Sequence, residues 1–250
     1  DCTDSVTVEI TEAEPVLVEI TEVSDYSGFG VLCKDGDNGF ISVNVTGGTE
    51  VYTYSWTADN GFTSSEEDIS NLSAGIYTLV VTDQNNCVND STVIEITEPE
   101  GIEINYTQSN YTDFGVSCYG ASDGFIDVTI TGGTGNYTYT WTADNGFTAS
   151  TDDISNLSAG NYSLSVVDEN DCPITLDVEI TEPDPIEIVF TASNENGFGV
   201  LCNGDSNGSI DVTVTGGTGV YTYSWTADNG FTASTDDISN LSAGTYTLVV

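Results

Sequence analysis

Trp56-Thr57-Ala58-Asp59-Asn60-Gly61-Phe62-Thr63 decides the fold, and it returns unchanged at Trp141–Thr148 and at Trp225–Thr232. Within it, Asn60-Gly61 fits a tight hairpin turn, because both residues tolerate positive φ. The tryptophan before the turn is placed to enter a core, and the phenylalanine after it to begin the returning strand. Upstream, Tyr52, Tyr54 and Trp56 share one strand face, with Thr53 and Ser55 on the other. Ile41, Val43 and Val45 alternate with Ser42 and Asn44, and Tyr77, Leu79 and Val81 share a face further on. A period of two, bounded by Gly, Asn and Asp, marks antiparallel strands packed on one side. No helical stripe of useful length interrupts it.

The hairpin belongs to a larger unit. Trp56, Trp141 and Trp225 are 85 and then 84 residues apart, and so are Cys33, Cys118 and Cys202. Cys2, Cys87 and Cys172 recur at intervals of 85. DISNLSAG occupies residues 68–75, 153–160 and 237–244, and TGGT residues 46–49, 131–134 and 215–218. Self-similarity at such a period means one module built several times, and its length suits a small single-core domain. The expected division is residues 1–14 as the tail of a preceding copy, then 15–98, 99–182 and 183–250 as three repeats. The last of these stops inside a strand. Each module has a Trp on an early strand and a Tyr just after a turn, as in Leu72-Ser73-Ala74-Gly75 before Tyr77. These features predict tandem immunoglobulin-like β-sandwiches of the PKD or fibronectin-III kind, with a tyrosine corner. Trp56, Trp141, Trp225, Tyr77, Tyr162 and Tyr246 are the expected core anchors. Glu95–Pro99 and Glu179–Pro183, with Glu9–Glu12 as the earlier equivalent, join the modules through short acidic segments stiffened by Pro. A linear, semi-rigid rod is expected from such spacers.

Composition narrows the function. One Lys (Lys34), no Arg and no His stand against 41 acidic residues, for a formal charge of −40. Nothing is available to neutralise phosphates, so nucleic acid is excluded as a partner. A phosphate loop with its Lys, an Arg clamp and a His-based triad go the same way. Hydrophobic residues at 38%, with 13 Tyr, 9 Phe and 3 Trp, supply the cores that an acidic disordered chain lacks. No apolar run approaches the length of a membrane span.

Six cysteines in register argue for disulfides and an oxidising, extracellular setting. Spacing leaves three pairings open. The in-module pairs Cys33–Cys87 and Cys118–Cys172 are preferred, leaving Cys2 and Cys202 to partners outside the segment. Bridges across each junction would be Cys2–Cys33, Cys87–Cys118 and Cys172–Cys202. The entry to the second strand and the turn after the penultimate one can lie at opposite ends of a sandwich, so a cross-module bridge such as Cys33–Cys172 is the third.

The ordered set Cys202-x-Gly-x-Ser-x-Gly-Ser-Ile210, Thr215-Gly-Gly-Thr-Gly-x-Tyr-Thr-Tyr-Ser-Trp225, Leu241-Ser-Ala-Gly-Thr-Tyr-Thr-Leu-Val-Val250 and Asp168-x-Asn-x-Cys172 resembles the SprB repeat. That repeat builds large parts of gliding-motility adhesins and related surface proteins of Bacteroidetes-type bacteria. The resemblance implies secretion to the cell surface, by a type IX route, and a role in adhesion or motility. The first copy departs from the pattern at Lys34–Asn38 and at Glu50.

Several side chains are candidates for more than structure. Asp35, Asp37, Asp68, Asp153 and Asp237 sit in acidic clusters that could hold Ca²⁺, although no stretch has the full EF-hand spacing. Paired carboxylates could serve a glycosidase, but three equivalent active sites in a row argue against an enzyme, and no other cofactor is expected. Tyr106, Tyr111 and Tyr119 lie outside the alternating strands and could contact a glycan or surface polysaccharide. Asp4-Ser5-Val6 and Asp90-Ser91-Thr92 match a short O-glycosylation pattern, which makes Ser5 and Ser91 acceptor candidates. The expected function is a non-catalytic shaft of an extracellular adhesin or surface filament, whose partners are neighbouring repeats. The alternatives are direct glycan binding by each repeat and lateral self-association into a filament.

Overall fold

A computed structural model describes residues 2–250, which form an all-β chain with no helix among them. The residues gather into two compact units. One runs through Asn105 and adds Thr129–Thr140 and Ser165–Leu176; the other comprises Tyr106–Val128, Trp141–Leu164 and Asp177–Val250. The first unit holds the whole first repeat and the second the whole third, and the middle copy is divided between them.

The first repeat has seven strands: β1 (Leu17–Val23), β2 (Gly39–Thr46), β3 (Thr53–Ala58), β4 (Thr63–Ser64), β5 (Ile69–Leu72), β6 (Gly75–Thr82) and β7 (Thr92–Ile96). They form two antiparallel sheets, β1-β2-β5 and β4-β3-β6-β7. The quoted hairpin is the β3–β4 connection, with Trp56 opposite Ser64, and Ala58 N–H closes it on Phe62 O at 3.0 Å. The period-two faces meet in one core. Ile41 and Val43 from the first sheet and Trp56, Tyr77, Leu79 and Val81 from the second are buried together, with Ile96 of β7. Inward-facing positions of two sheets interdigitate in this way in a sandwich.

The middle copy repeats the pattern with β8 (Glu103–Gln108), β9 (Gly124–Thr131), β10 (Thr138–Ala143), β11 (Thr148–Ala149), β12 (Ile154–Leu157), β13 (Gly160–Val167) and β14 (Pro173–Ile180), in sheets β12-β9-β8 and β11-β10-β13-β14. The third has β15 (Glu187–Ala192), β16 (Gly208–Thr215), β17 (Ser224–Ala227), β18 (Thr232–Ala233), β19 (Ile238–Leu241) and β20 (Tyr246–Val249), in sheets β15-β16-β19 and β18-β17-β20. Its second sheet has three strands where the other two copies have four.

Each tryptophan is buried and donates its indole N–H to two successive carbonyls: Trp56 to Glu66 and Glu67, Trp141 to Thr151 and Asp152, Trp225 to Thr235 and Asp236. The first tyrosine of the aromatic alternation behaves differently. Tyr52 lies outside β3, and its hydroxyl donates to Gly47 O, as Tyr137 does to Gly132 O and Tyr221 to Gly216 O. The tyrosine corner is present three times. Tyr77, Tyr162 and Tyr246 donate to the carbonyls of Ser73, Ser158 and Ser242 at 2.8, 2.8 and 2.9 Å. Each also accepts an amide N–H from the asparagine of the hairpin turn: Asn60, Asn145 or Asn229. Tyr77→Phe removes both bonds in a part-buried setting and is expected to cost the first repeat about 1–2 kcal/mol. A denaturant titration should show a lower midpoint at unchanged slope.

Candidate functional site at the disulfide-bridged junction

The residues with special chemistry converge where the first repeat hands over to the middle one, within the first compact unit. Three short segments build the place. The first is the loop before β2, which carries Cys33. Its backbone is held by the residues after β7: Gly30 and Val31 N–H both donate to Thr97 O, at 2.9 and 3.1 Å. Asp35 N–H donates to the Glu98 carboxylate at 2.7 Å. The second is the Glu98–Gly101 connection, where Glu98 also meets Lys34 at 3.9 Å. That ion pair is solvent-exposed on the Lys side and adds little stability.

The third segment is the Asp168-Glu169-Asn170-Asp171-Cys172 turn between β13 and β14. One carboxylate oxygen of Asp168 accepts from Asn170 N–H and Cys172 N–H, at 3.0 and 2.9 Å. The other accepts from the Thr134 amide and hydroxyl, at 2.9 and 3.0 Å. One side chain therefore closes the turn and ties it to the TGGT loop. Asp83 does the same in the first copy with Asn85, Cys87 and Thr49. Burial pushes the Asp168 pKa up, but the bonds from Cys172, Thr134 and Asn170 outweigh it and hold the pKa below the usual carboxylate value. The stabilisation this supplies is present above the unfolded-state pKa and is lost as pH falls through the lowered folded value. Asp168→Ala strands four donors and is expected to cost about 1–3 kcal/mol at neutral pH. The wild type and Asp168→Ala should converge in stability as pH falls below the range of ordinary carboxylates, which a pair of acid melts would check.

The two ends meet in a disulfide. Cys33 is bonded to Cys172, with Cα atoms 5.7 Å apart and a sequence separation of 139. Asn170 reinforces the contact, donating to Leu32 O at 3.2 Å and accepting from the Ser27 hydroxyl at 3.1 Å. A cleft of about 280 Å³ lies beside it, lined among others by Cys33, Lys34, Gly101 and Asp168.

This pairing corrects the preferred expectation of Cys33–Cys87 and Cys118–Cys172 and is the cross-module alternative. The reason is geometric. Cys33 precedes β2, whereas Cys87 sits in the Asp83 turn, which is bound to Thr49 just past the end of β2. An eight-residue strand spans about 25 Å, far more than the roughly 7 Å limit for bridged Cα atoms. With Cys172 taken, Cys118 cannot pair with it. Cys2, Cys87, Cys118 and Cys202 are free and exposed.

The other candidates are not assembled into a ligand set. Asp68, Asp153 and Asp237, each just before a strand, accept from a backbone amide of the adjacent strand in the same sheet, at Val43, Val128 and Val212. Asp35 and Asp37 lie in the Cys33 loop, and among the described residues no group of three or more acidic, Cys or His side chains could hold a metal. Ser5 and Ser91 are exposed, as are Tyr106, Tyr111 and Tyr119. The residues that spacing did not single out are Asn170 and Glu98. The signal was there for Glu98, since Glu182 caps the Cys118 loop in the same way, through Gly120 N–H at 2.7 Å.

The family comparison matches three segments, residues 31–61, 115–146 and 200–230, each beginning in a cysteine loop and ending at or next to the glycine of a hairpin turn. Three segments of the chain match the SprB repeat, and the part matched in each copy is the cysteine loop, the second strand, the TGGT loop and the tryptophan strand. Two solved structures are similar to parts of the fold. The structure of an amphioxus IgVJ-C2 molecule aligns at 16% identity and a TM-score of 0.29, covering 59% of this chain and 97% of its own. A 1.5-MDa bacterial ice-binding adhesin, described for its host cell surface retention, aligns at 13% identity and a TM-score of 0.40, covering 90% and 88%. The comparison with curated proteins found no match. No helix among the described residues is long and apolar enough to cross a membrane.

Proposed function

We propose that this run of SprB repeats is a structural segment of an extracellular adhesin or surface filament, with no catalytic role. The observation that carries the reading is the Cys33–Cys172 bridge between consecutive repeats. A covalent tie at a module junction serves load or spacing, and it persists only in an oxidising compartment. The acidic groups support the same reading. Asp68, Asp153 and Asp237 perform one structural task three times, at a fixed offset of 25 residues from the amide they hold. A formal charge of −40 keeps such chains apart and in solution.

Secretion by a type IX route and a part in gliding motility follow from what SprB repeats build elsewhere. O-glycosylation at Ser5 or Ser91 would suit a secreted, Ser/Thr-rich surface. Bound Ca²⁺ would gain from the charge, though no group of three or more acidic side chains among the described residues could hold it. Direct glycan binding through Tyr106, Tyr111 and Tyr119 is the competing reading, favoured by their exposure. A glycan array probed with the purified chain separates the two. A shaft gives no specific signal. Binding that is lost in Tyr119→Ala while the melt is unchanged would overturn the structural assignment.

A further inference from the structure

The hairpin that builds each repeat turns on Asn-Gly, the dipeptide most prone to deamidation. In that reaction the glycine N–H gives its proton to base, and the nitrogen attacks the asparagine Cγ. An N–Cγ bond forms, the Cγ–Nδ2 bond breaks, and Nδ2 takes up a proton and leaves as ammonia. Water then opens the cyclic imide at either carbonyl, giving aspartate or isoaspartate. Glycine makes the step fast because it sets no side chain beside the attacking nitrogen.

The turn needs both residues. Gly61, Gly146 and Gly230 hold φ at 89°, 85° and 84°, a region open to glycine and strained for other residues. Asn60, Asn145 and Asn229 each accept through Oδ1 from the phenylalanine N–H two residues on, at 3.0 Å in all three copies. Asparagine is suited to closing a turn in this way. The hairpin therefore requires a pair that ages.

Each copy also holds that pair still. Gly61 N–H donates to Ala58 O at 3.1 Å, as Gly146 does to Ala143 O and Gly230 to Ala227 O, so the nucleophile keeps its proton engaged. The leaving group is tied as well. Asn60 Nδ2 donates to Tyr77 Oη, Ala74 O and Ser73 Oγ, at 3.1, 3.2 and 3.4 Å. Asn145 Nδ2 donates to Tyr162 Oη and Ser158 Oγ, and Asn229 Nδ2 to Tyr246 Oη and Ser242 Oγ. Phe62 sets its ring edge-on to Tyr77, with centroids 5.5 Å apart, and the other two copies repeat the contact. Cγ cannot swing toward the glycine nitrogen without breaking these bonds.

The glycine before the tyrosine makes room for this arrangement. A Cβ on Gly75 would stand 2.8 Å from Asn60 Nδ2 and 2.8 Å from Asp59 Oδ1. Its φ lies outside the left-handed region, so it is space and not backbone conformation that excludes a side chain there. We propose that the tyrosine corner guards a modification site. It keeps Asn60, Asn145 and Asn229 from cyclising, and deamidation is confined to repeats whose corner has opened. An aspartate formed at position 60 would turn a carboxylate oxygen on Ala74 O where a donor stood, so a repeat that ages while open does not regain the same corner.

This inference does not rest on the adhesin reading, since it concerns only the chemistry of the turn. The test is ageing of the full chain in mildly alkaline buffer below its melting range, with peptide mapping that separates Asn, Asp and isoaspartate. In the wild type Asn60 and Asn145 should persist while the isolated peptide of residues 56–63 deamidates. Tyr77→Phe should speed deamidation at Asn60 by about fivefold, the population factor of one lost hydrogen bond, and leave Asn145 unchanged. Gly75→Ala keeps the tyrosine but pushes the amide away from it, and should act in the same direction. Ile41→Val destabilises the same core without touching the corner, so it separates the guard from general stability and should age like wild type at Asn60. A wild type that deamidates as fast as the peptide, a Tyr77→Phe or Gly75→Ala variant that ages no faster than wild type, or an Ile41→Val variant that ages as fast as Tyr77→Phe would overturn the proposal.

Discussion

Trp141→Ala is expected to unfold the middle repeat well before the other two. The indole of Trp141 is fully buried, and its N–H is shared between Thr151 O and Asp152 O at 3.1 and 3.2 Å. Truncation removes the largest side chain of that core and leaves two carbonyls without their donor. Such a loss costs about 3–5 kcal/mol, against a total of roughly 5–15 kcal/mol for a small domain. Repeats couple through nearest-neighbour interfaces, and Trp56 and Trp225 keep their own cores. Calorimetry on the full chain should therefore resolve one early transition, with the remainder near wild type. A single transition, lowered as a whole, would mean that the repeats melt as one cooperative body.

How much of this was legible in the sequence depends on what each feature is made of. The sandwich was legible because alternation is local: a buried Ile41 beside an exposed-facing Ser42 already states which way the strand faces. The tyrosine corner was legible for the same reason, since Tyr77 and Ser73 are four residues apart. The disulfide was not, because register along the chain says which cysteines are equivalent and nothing about which end of a sandwich each occupies. Deciding that needs the path of β2, with Cys33 at its entry and the Asp83 turn beyond its exit. The acidic clusters were misleading in a similar way. Asp68 looks like a loose turn carboxylate in sequence, but it satisfies Val43 N–H, a backbone group 25 residues away. A long-range partner of this kind leaves no trace in local composition, except that Asp153 and Asp237 keep the same offset.

Breaking the Cys33–Cys172 bridge is the second large effect to expect. A cross-link over 139 residues removes about 5 kcal/mol of chain entropy from the unfolded state by the loop-closure argument. That entropy is returned only when both linked repeats unfold, because a folded neighbour still holds one end in place. The first and middle repeats should therefore lose stability together, while the third, which has no share in this bridge, serves as an internal reference. Cys33→Ser alone leaves Cys172 free to mispair, so the cleaner variant is the double change Cys33→Ser with Cys172→Ser. In calorimetry its two lower transitions should fall on those of the wild type under a thiol reductant, because both treatments remove the same constraint. Adding reductant to the double variant should then move nothing further. If reduced and oxidised wild type melt alike, the bridge closes a loop that the unfolded chain hardly samples, and the junction is held by the Asn170, Glu98 and Thr97 hydrogen bonds alone. If the third repeat shifts along with the others, the constraint reaches beyond the two repeats it joins, and the repeats act as one mechanical body.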